Sequence, residues 1–151
     1  MEADIKKIIE EENIPVRELI YSAAEARKKA YAPYSEYMVG AAVLTNELRI
    51  YTGCNIENAS YTPSICAERT ALSKAVSEGW RKVKAIAVVG SPKGDVISQY
   101  AFPCGVCRQA LREFADAERF LVIVAKSDTD YKVYRLNELL PESFGPENLS
   151  I

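Results

Sequence analysis

The 151-residue sequence has no histidine. That absence excludes every catalytic arrangement built on a Ser–His or Cys–His pair. It also removes the commonest nitrogen ligand of zinc, so a zinc site here must be made from thiolates, with carboxylates as the remaining resource. Long apolar runs are missing too, since none approaches the ~18 to 20 residues that a membrane-spanning helix needs. There is no basic excess: 19 Lys and Arg stand against 21 Asp and Glu, a formal net charge of -2. No strong positive field is available for a phosphate backbone, so long nucleic acids are poor candidates and a small partner is favoured. The stretch from Met1 to Glu12 is acidic and lacks a long apolar segment, so it does not read as a signal peptide. The expected location is cytoplasmic, where thiols stay reduced and clustered cysteines point to metal or redox chemistry rather than disulfides.

What is present fits an ordinary globular domain. Apolar residues make up 48% and charged residues 26% of the chain, which is near the average for folded proteins and unlike a disordered one. A single domain over residues 1–151 is expected, with a core that needs no disulfide. Ile5, Ile8 and Ile9 share one helical face over residues 2–12. After Pro15 a second helical pattern runs over 16–30, through Leu19, Ile20, Ala23 and Ala26. Strands are expected at 39–44 and 49–54, joined by a turn near Asn46 to Leu48. A helix follows from Cys66 to about Glu78, with Gly79 as its stop. Then come a buried strand at 85–89, a turn-rich loop at 90–95, a short strand at 96–100 and a helix at 105–115. Strands at 120–125 and 131–134 and a short helix at 136–140 complete the chain. This alternation argues for an α/β fold with helices on both faces of a sheet.

Four cysteines carry the chemical signal. Cys104 and Cys107, in Pro103-Cys-Gly-Val-Cys107, are three apart at an expected helix start, so both sulfurs can face one metal. The spacing alone also suits a redox dithiol or a structural pair. Cys66-Ala67-Glu68 opens another helix and offers a third sulfur. Three protein ligands with an open fourth position are the usual set for catalytic zinc. Glu68 sits two residues from Cys66, where it can stand beside a metal without binding it. Taken alone, it is equally a first-turn glutamate favoured by the helix dipole. Together, a ligand-x-Glu followed downstream by Pro-Cys-x-x-Cys is the pattern of zinc-dependent base deaminases.

From about Tyr31 to Leu149 the sequence resembles the small, homotetrameric, three-cysteine cytidine deaminases. The resemblance is carried by Ala32-Pro-Tyr-Ser35, Val39-Gly-Ala-Ala42, Gly53-Cys-Asn-Ile-Glu-Asn-Ala59, Cys66-Ala-Glu-Arg-Thr-Ala71, Pro103-Cys-Gly-Val-Cys-Arg-Gln109 and Leu139-Leu-Pro141. It implies a three-layer α/β/α sandwich around a mixed five-stranded sheet. It further implies one zinc per subunit on Cys66, Cys104 and Cys107, with Glu68 as proton shuttle. The implied reaction is hydrolytic deamination of cytidine and deoxycytidine, an activity of pyrimidine salvage. Arg69 takes the role of relieving the negative charge of three thiolates. Asn55 and Glu57 match the pair that binds ribose, although loop bracing is the commoner use of such an Asn. Tyr37, Ala59 and the Ala67 backbone match positions near the nucleoside, and Tyr61 and Phe144 match residues contributed across a subunit interface. A homotetramer with shared sites follows from the same resemblance. Read as ordinary residues, Tyr61 and Phe144 are packing side chains, and Leu139, Leu140 and Phe144 could close the chain's own core.

Three positions depart from the family pattern. Tyr37 stands where Phe is usual. Leu48 stands where a turn glycine permits positive φ. Phe102 stands before Pro103 where Ser is common, which removes a polar contact near the metal. Cys54 reads as a buried small hydrophobe, with a fourth zinc ligand as the sharper alternative. Rival functions are a deaminase of another aminopyrimidine nucleoside such as blasticidin S, a polynucleotide deaminase, a non-enzymatic zinc-binding module and a thiol redox protein. The Asn55-x-Glu57 pair speaks against the first, the acidic charge balance against the second, and Glu68 with the three-ligand count against the last two.

Overall fold

The structure, a computed structural model, describes residues 1–149. The elements in chain order are α1 (Ala3–Glu11), α2 (Val16–Arg27), β1 (Tyr37–Thr45), β2 (Ile50–Cys54), α3 (Ala67–Ser77), β3 (Val83–Pro92), α4 (Gly105–Arg112), β4 (Leu121–Ala125), β5 (Tyr131–Arg135) and α5 (Leu136–Leu139). A 3-10 turn at Pro146–Leu149 ends the described chain. The five strands form one sheet in the order β2-β1-β3-β4-β5, with β3 and β4 parallel and the other pairs antiparallel.

The period-2 alternation of the central strands creates two cores. Ala42, Leu44, Ala85, Ala87, Val89, Leu121, Ile123 and Ala125 face one side, where Ile5, Ile8, Leu19, Ile20 and Ala23 of α1 and α2 cover them. Ala41, Val43, Ile86, Val88, Val122 and Val124 face the other side, against Ala67, Ala71, Leu72 and Ala75 of α3, Leu111 of α4 and Leu136 of α5. Strands apolar on both faces are the expected content of a sheet buried on both sides. The result is the three-layer α/β/α sandwich with a mixed five-stranded sheet.

Two glycines set how closely helices approach the sheet. A Cβ on Gly40 would lie 1.9 Å from Ala23 O, and one on Gly53 would lie 2.5 Å from Ala71 N. Thus α2 rests directly on β1, and α3 on β2. The end of α2 is fixed further by Arg27, whose guanidinium donates to the carbonyls of Met38, Ser91 and Pro92 at 3.0 to 3.1 Å.

Several expectations need correction. No strand forms at 96–100, and Val96 is exposed. Both edges of β3 are already occupied, by β1 and β4, so this segment cannot pair back beside the strand it follows and leads instead as a loop to α4. Residues 90–92 belong to β3, because pairing with β1 continues out to Tyr37 opposite Pro92. The second helix stops at Arg27 rather than residue 30, and α4 stops at Arg112 rather than 115. The β1–β2 turn lies where expected, and Leu48 adopts a φ of 65°, the left-handed conformation that glycine takes without penalty.

Candidate active site

The start of α3 and the start of α4 meet at the end of the sheet where β3 leaves for the loop over residues 93–104. In open α/β sheets such carboxyl ends of strands are where ligands bind. Cys66 is the N-cap of α3 and Cys104 the N-cap of α4, both in extended backbone conformation, and neither makes a side-chain capping hydrogen bond to its helix. Cys107 lies in the first turn of α4 and is fully buried. The Sγ atoms of Cys66 and Cys104 are 3.7 Å apart, and those of Cys104 and Cys107 are 3.6 Å apart. All three ligand atoms fall within 4.8 Å of one another. Sulfurs bound to one tetrahedral zinc at ~2.3 Å stand about 3.8 Å apart, so this spacing fits the metal. Cys54 is not part of the cluster among the described residues, which rules it out as a fourth ligand. It is half-buried rather than buried and lines a separate cleft with Lys29 and Lys74.

Glu68 follows in the first turn of α3 and is 4% exposed. Burial pushes its carboxyl up to about 7, the Cys66 thiolate adds to the rise, and Arg69 opposes it. The Cys66 thiol is held down to about 5, first by hydrogen bonding from Cys107 and then by Arg69, against the effect of burial. Cys107 is pushed up by its hydrogen bond to Cys66 and by burial. Arg69 Nη2 lies 4.0 Å from Cys66 Sγ, while its Nε is buried without a protein partner. Burial opposes the guanidinium's charge, but hydrogen bonds to Cys66 and Cys107 outweigh it. Two helix N-termini and one arginine therefore place positive potential on a cluster of sulfurs.

A cavity of about 310 Å³ opens beside these groups. Its polar lining is Asn55, Glu68, Cys66 and Cys104, and its remaining walls are Tyr37, Val39, Ala67, Val88, Tyr100, Ala101 and Phe102. Larger clefts exist, such as one of about 580 Å³ between α3 and α4, but no cluster of ligating side chains lines them among the described residues.

The structure brings Tyr37, Asn55, Ala67 and Glu68 together around this cavity and leaves other sequence candidates outside it. Asn55 braces β1: its Oδ1 accepts from Val39 N at 2.9 Å and its Nδ2 donates to Tyr37 O at 2.8 Å. One N–H and one lone pair of the amide remain for a ligand. Glu57 accepts from the Tyr34 and Ser35 amides at 2.9 and 3.1 Å and from the Ser35 hydroxyl, and it does not line the cavity. Ala59 and Tyr61 lie on the exposed loop before α3, where Tyr61 packs edge-on against Tyr34. Phe144 is exposed and also outside the cavity, and its carbonyl accepts from Gln109 Nε2 of α4. Phe144 therefore does not close the chain's own core, whereas Leu139 packs against it. Tyr100 and Ala101 were not legible as site residues in the sequence. Their one signal was proximity to Cys104 ahead of Pro103, and the expected strand at 96–100 hid it.

Residues 15–124 match the family described as the cytidine and deoxycytidylate deaminase zinc-binding region. The chain is 44% identical over 135 residues to a cytidine deaminase of Sporosarcina psychrophila, covering 89% of this chain and 95% of that protein. It is 46% identical over 132 residues to the cytidine deaminase of Halalkalibacterium halodurans, covering 87% and 96%. Among solved structures it is similar to cytidine deaminase from Burkholderia pseudomallei, with a TM-score of 0.74 at 44% identity over 84% of this chain and 97% of that one. Cytidine deaminase from Mycobacterium tuberculosis gives a TM-score of 0.73 at 36% identity over 87% and 98%. The match spans the segments that carry both helix starts, and its zinc-binding description agrees with the tetrahedral spacing of the sulfurs. The chain thus belongs to the cytidine and deoxycytidylate deaminase family, with Cys66, Cys104 and Cys107 as its zinc-binding triad.

Proposed function

We propose that this protein deaminates cytidine and deoxycytidine hydrolytically to uridine and deoxyuridine, with release of ammonia, as a step of pyrimidine salvage. The observation that carries this reading is the buried Glu68 carboxyl placed in the cavity wall beside Cys66 and Cys104. Zinc held by the triad supplies a Lewis acid that makes water nucleophilic near neutral pH. Glu68 is the general base that takes the proton from the attacking water and the acid that passes it to ring nitrogen 3 of cytosine. After the oxygen has bonded to carbon 4, Glu68 takes the proton of the new hydroxyl and delivers it to the amine; the carbon–nitrogen bond breaks, the carbonyl of uracil forms, and ammonia leaves. One carboxylate serves both directions, and its place off the metal leaves it free to do so.

Arg69 counters the charge of the sulfurs through its hydrogen bond to Cys66. Three thiolates more than neutralise a dication, and an arginine beside one of them restores the electrophilic character of the site. Asn55 and Glu57 are assigned to the ribose hydroxyls, and the Ala67 backbone and Tyr37 to the base. Ala59 belongs to the same substrate-binding loop. Tyr61 and Phe144 are assigned to the site of a neighbouring subunit in a homotetramer, which their exposure on this chain supports. Residues 1–151 act as one catalytic domain, placed in the cytoplasm. No helix among the described residues is long and apolar enough to cross a membrane.

The test is direct. Zinc-loaded protein incubated with cytidine or deoxycytidine releases ammonia and the matching uridine, and Glu68→Gln loses at least about 10²-fold in kcat while retaining zinc. No turnover by the parent protein, or equal turnover by the variant, overturns the proposal.

A further inference from the structure

Phe102 lines the cavity, one residue before the Pro103-Cys104 step that enters α4. It belongs to a loop with no secondary structure, yet three successive side chains of that loop are individually fixed. The Tyr100 hydroxyl donates to the Asp130 carboxylate, and Lys126 and Lys132 each place Nζ 4.6 Å from the centre of its ring. Ala101 seats over Gly90, where an added Cβ would come within 3.0 Å of the Ala101 methyl and 3.2 Å of the Tyr37 ring. Phe102 packs against Tyr134 of β5, with ring centres 5.5 Å apart. A side chain locked from behind while its other side faces a cavity is a preformed wall and pays little ordering entropy when a ligand arrives.

We infer that Phe102 is a specificity-determining contact of this active site: its ring packs against the planar base of the substrate, in place of a polar group. The inference rests on the function proposed above. The cavity's polar lining, Asn55, Glu68, Cys66 and Cys104, suits the hydrogen-bonding groups of a nucleoside. An apolar surface for a flat aromatic ring is supplied within this one chain by Phe102, beside the aliphatic wall of Val39, Val88 and Ala101 and in addition to the Tyr37 ring. Contacts between a base and an aromatic side chain change affinity by roughly 5- to 150-fold when removed, and a partly exposed ring such as this one belongs at the lower end.

The experiment compares the parent protein with Phe102→Ser and Phe102→Tyr, reading KM and kcat for cytidine together with zinc content and Tm. Phe102→Ser raises KM about 5- to 20-fold with kcat within about twofold and zinc content unchanged. Phe102→Tyr keeps the ring and stays near the parent KM. An unchanged KM in Phe102→Ser overturns the inference and leaves the proposed function standing. So does a joint loss of kcat and zinc, because Phe102 would then act by holding Cys104. A parent protein without cytidine turnover overturns both readings.

Discussion

Gly53 lies directly under Ala67: a methyl group on Gly53 would come within 2.7 Å of the Ala67 carbonyl oxygen. The glycine therefore sets the height of the first turn of α3 above β2, and that turn carries Glu68 just after Cys66. Gly53→Ala has to push α3 away from the sheet, because the two nearest obstructing atoms, Ala71 N and Ala67 O, are backbone. We expect about 1 to 3 kcal/mol of destabilisation. Turnover should fall more than stability alone explains, since Cys66 moves relative to Cys104. Urea unfolding and zinc content measured on the same sample check this. An active variant of unchanged stability would contradict the packing described here.

Arg69→Ala should leave the fold intact and weaken the site. The guanidinium reaches Cys66 Sγ and Arg69 is not a member of the apolar cluster between α3 and the sheet. Loss of a partner to a metal ligand typically lowers metal affinity or activity about 10- to 100-fold. Competition with a chelator gives the affinity, and steady-state kinetics gives the rate. Unchanged values of both would remove Arg69 from the site.

Leu48→Gly should stabilise the protein by about 0.5 to 1 kcal/mol. Leu48 holds a φ of 65° at the β1–β2 turn and is exposed, so the substitution relieves left-handed strain and removes little packing. The gain is less than the full cost of a non-glycine residue there, because glycine gives the unfolded chain more freedom. Denaturant midpoints of the two proteins decide it.

Removing zinc should change thiol chemistry in a residue-specific way. In the loaded protein Cys54 is the thiol left free to react. After chelation, Cys66 and Cys104 become reactive as well. Mild oxidation should then join neighbours within the triad, since the Sγ pairs at 3.6 and 3.7 Å need only a small approach to reach bonding distance, about 2.05 Å. Peptide mapping by mass spectrometry identifies the partners. A disulfide to Cys54 would contradict the arrangement.

The metal site was legible in the sequence because ligand chemistry restricts it. Three thiolates without histidine, two of them at Cys-x-x-Cys spacing before a helix, leave few alternatives. The sandwich was legible for a similar reason, since β3 and β4 are apolar on both faces and helices must cover both. Sheet order is a different kind of fact. Val96 to Tyr100 reads locally as a strand, and the occupied edges of β3 keep it from pairing beside the strand it follows. Bracing was one of the readings open for Asn55 and Glu57, but their particular partners were hidden because these lie 16 to 23 residues earlier in the chain. The tie between Phe102 and Tyr134 was hidden in the same way, by the intervening β4.

Cys104 follows Cys66 by 38 positions, and the segment between them contains β3, the central strand of the sheet. A chain emerging from the ribosome therefore presents one sulfur long before the other two. Until β3 has paired with β1 and α4 has crossed to its place, Cys66 has no neighbours to share an ion with. The three-sulfur site is therefore complete only when α4 is in place, and a chain that stops short of α4 lacks Cys107 and with it the full ligand set.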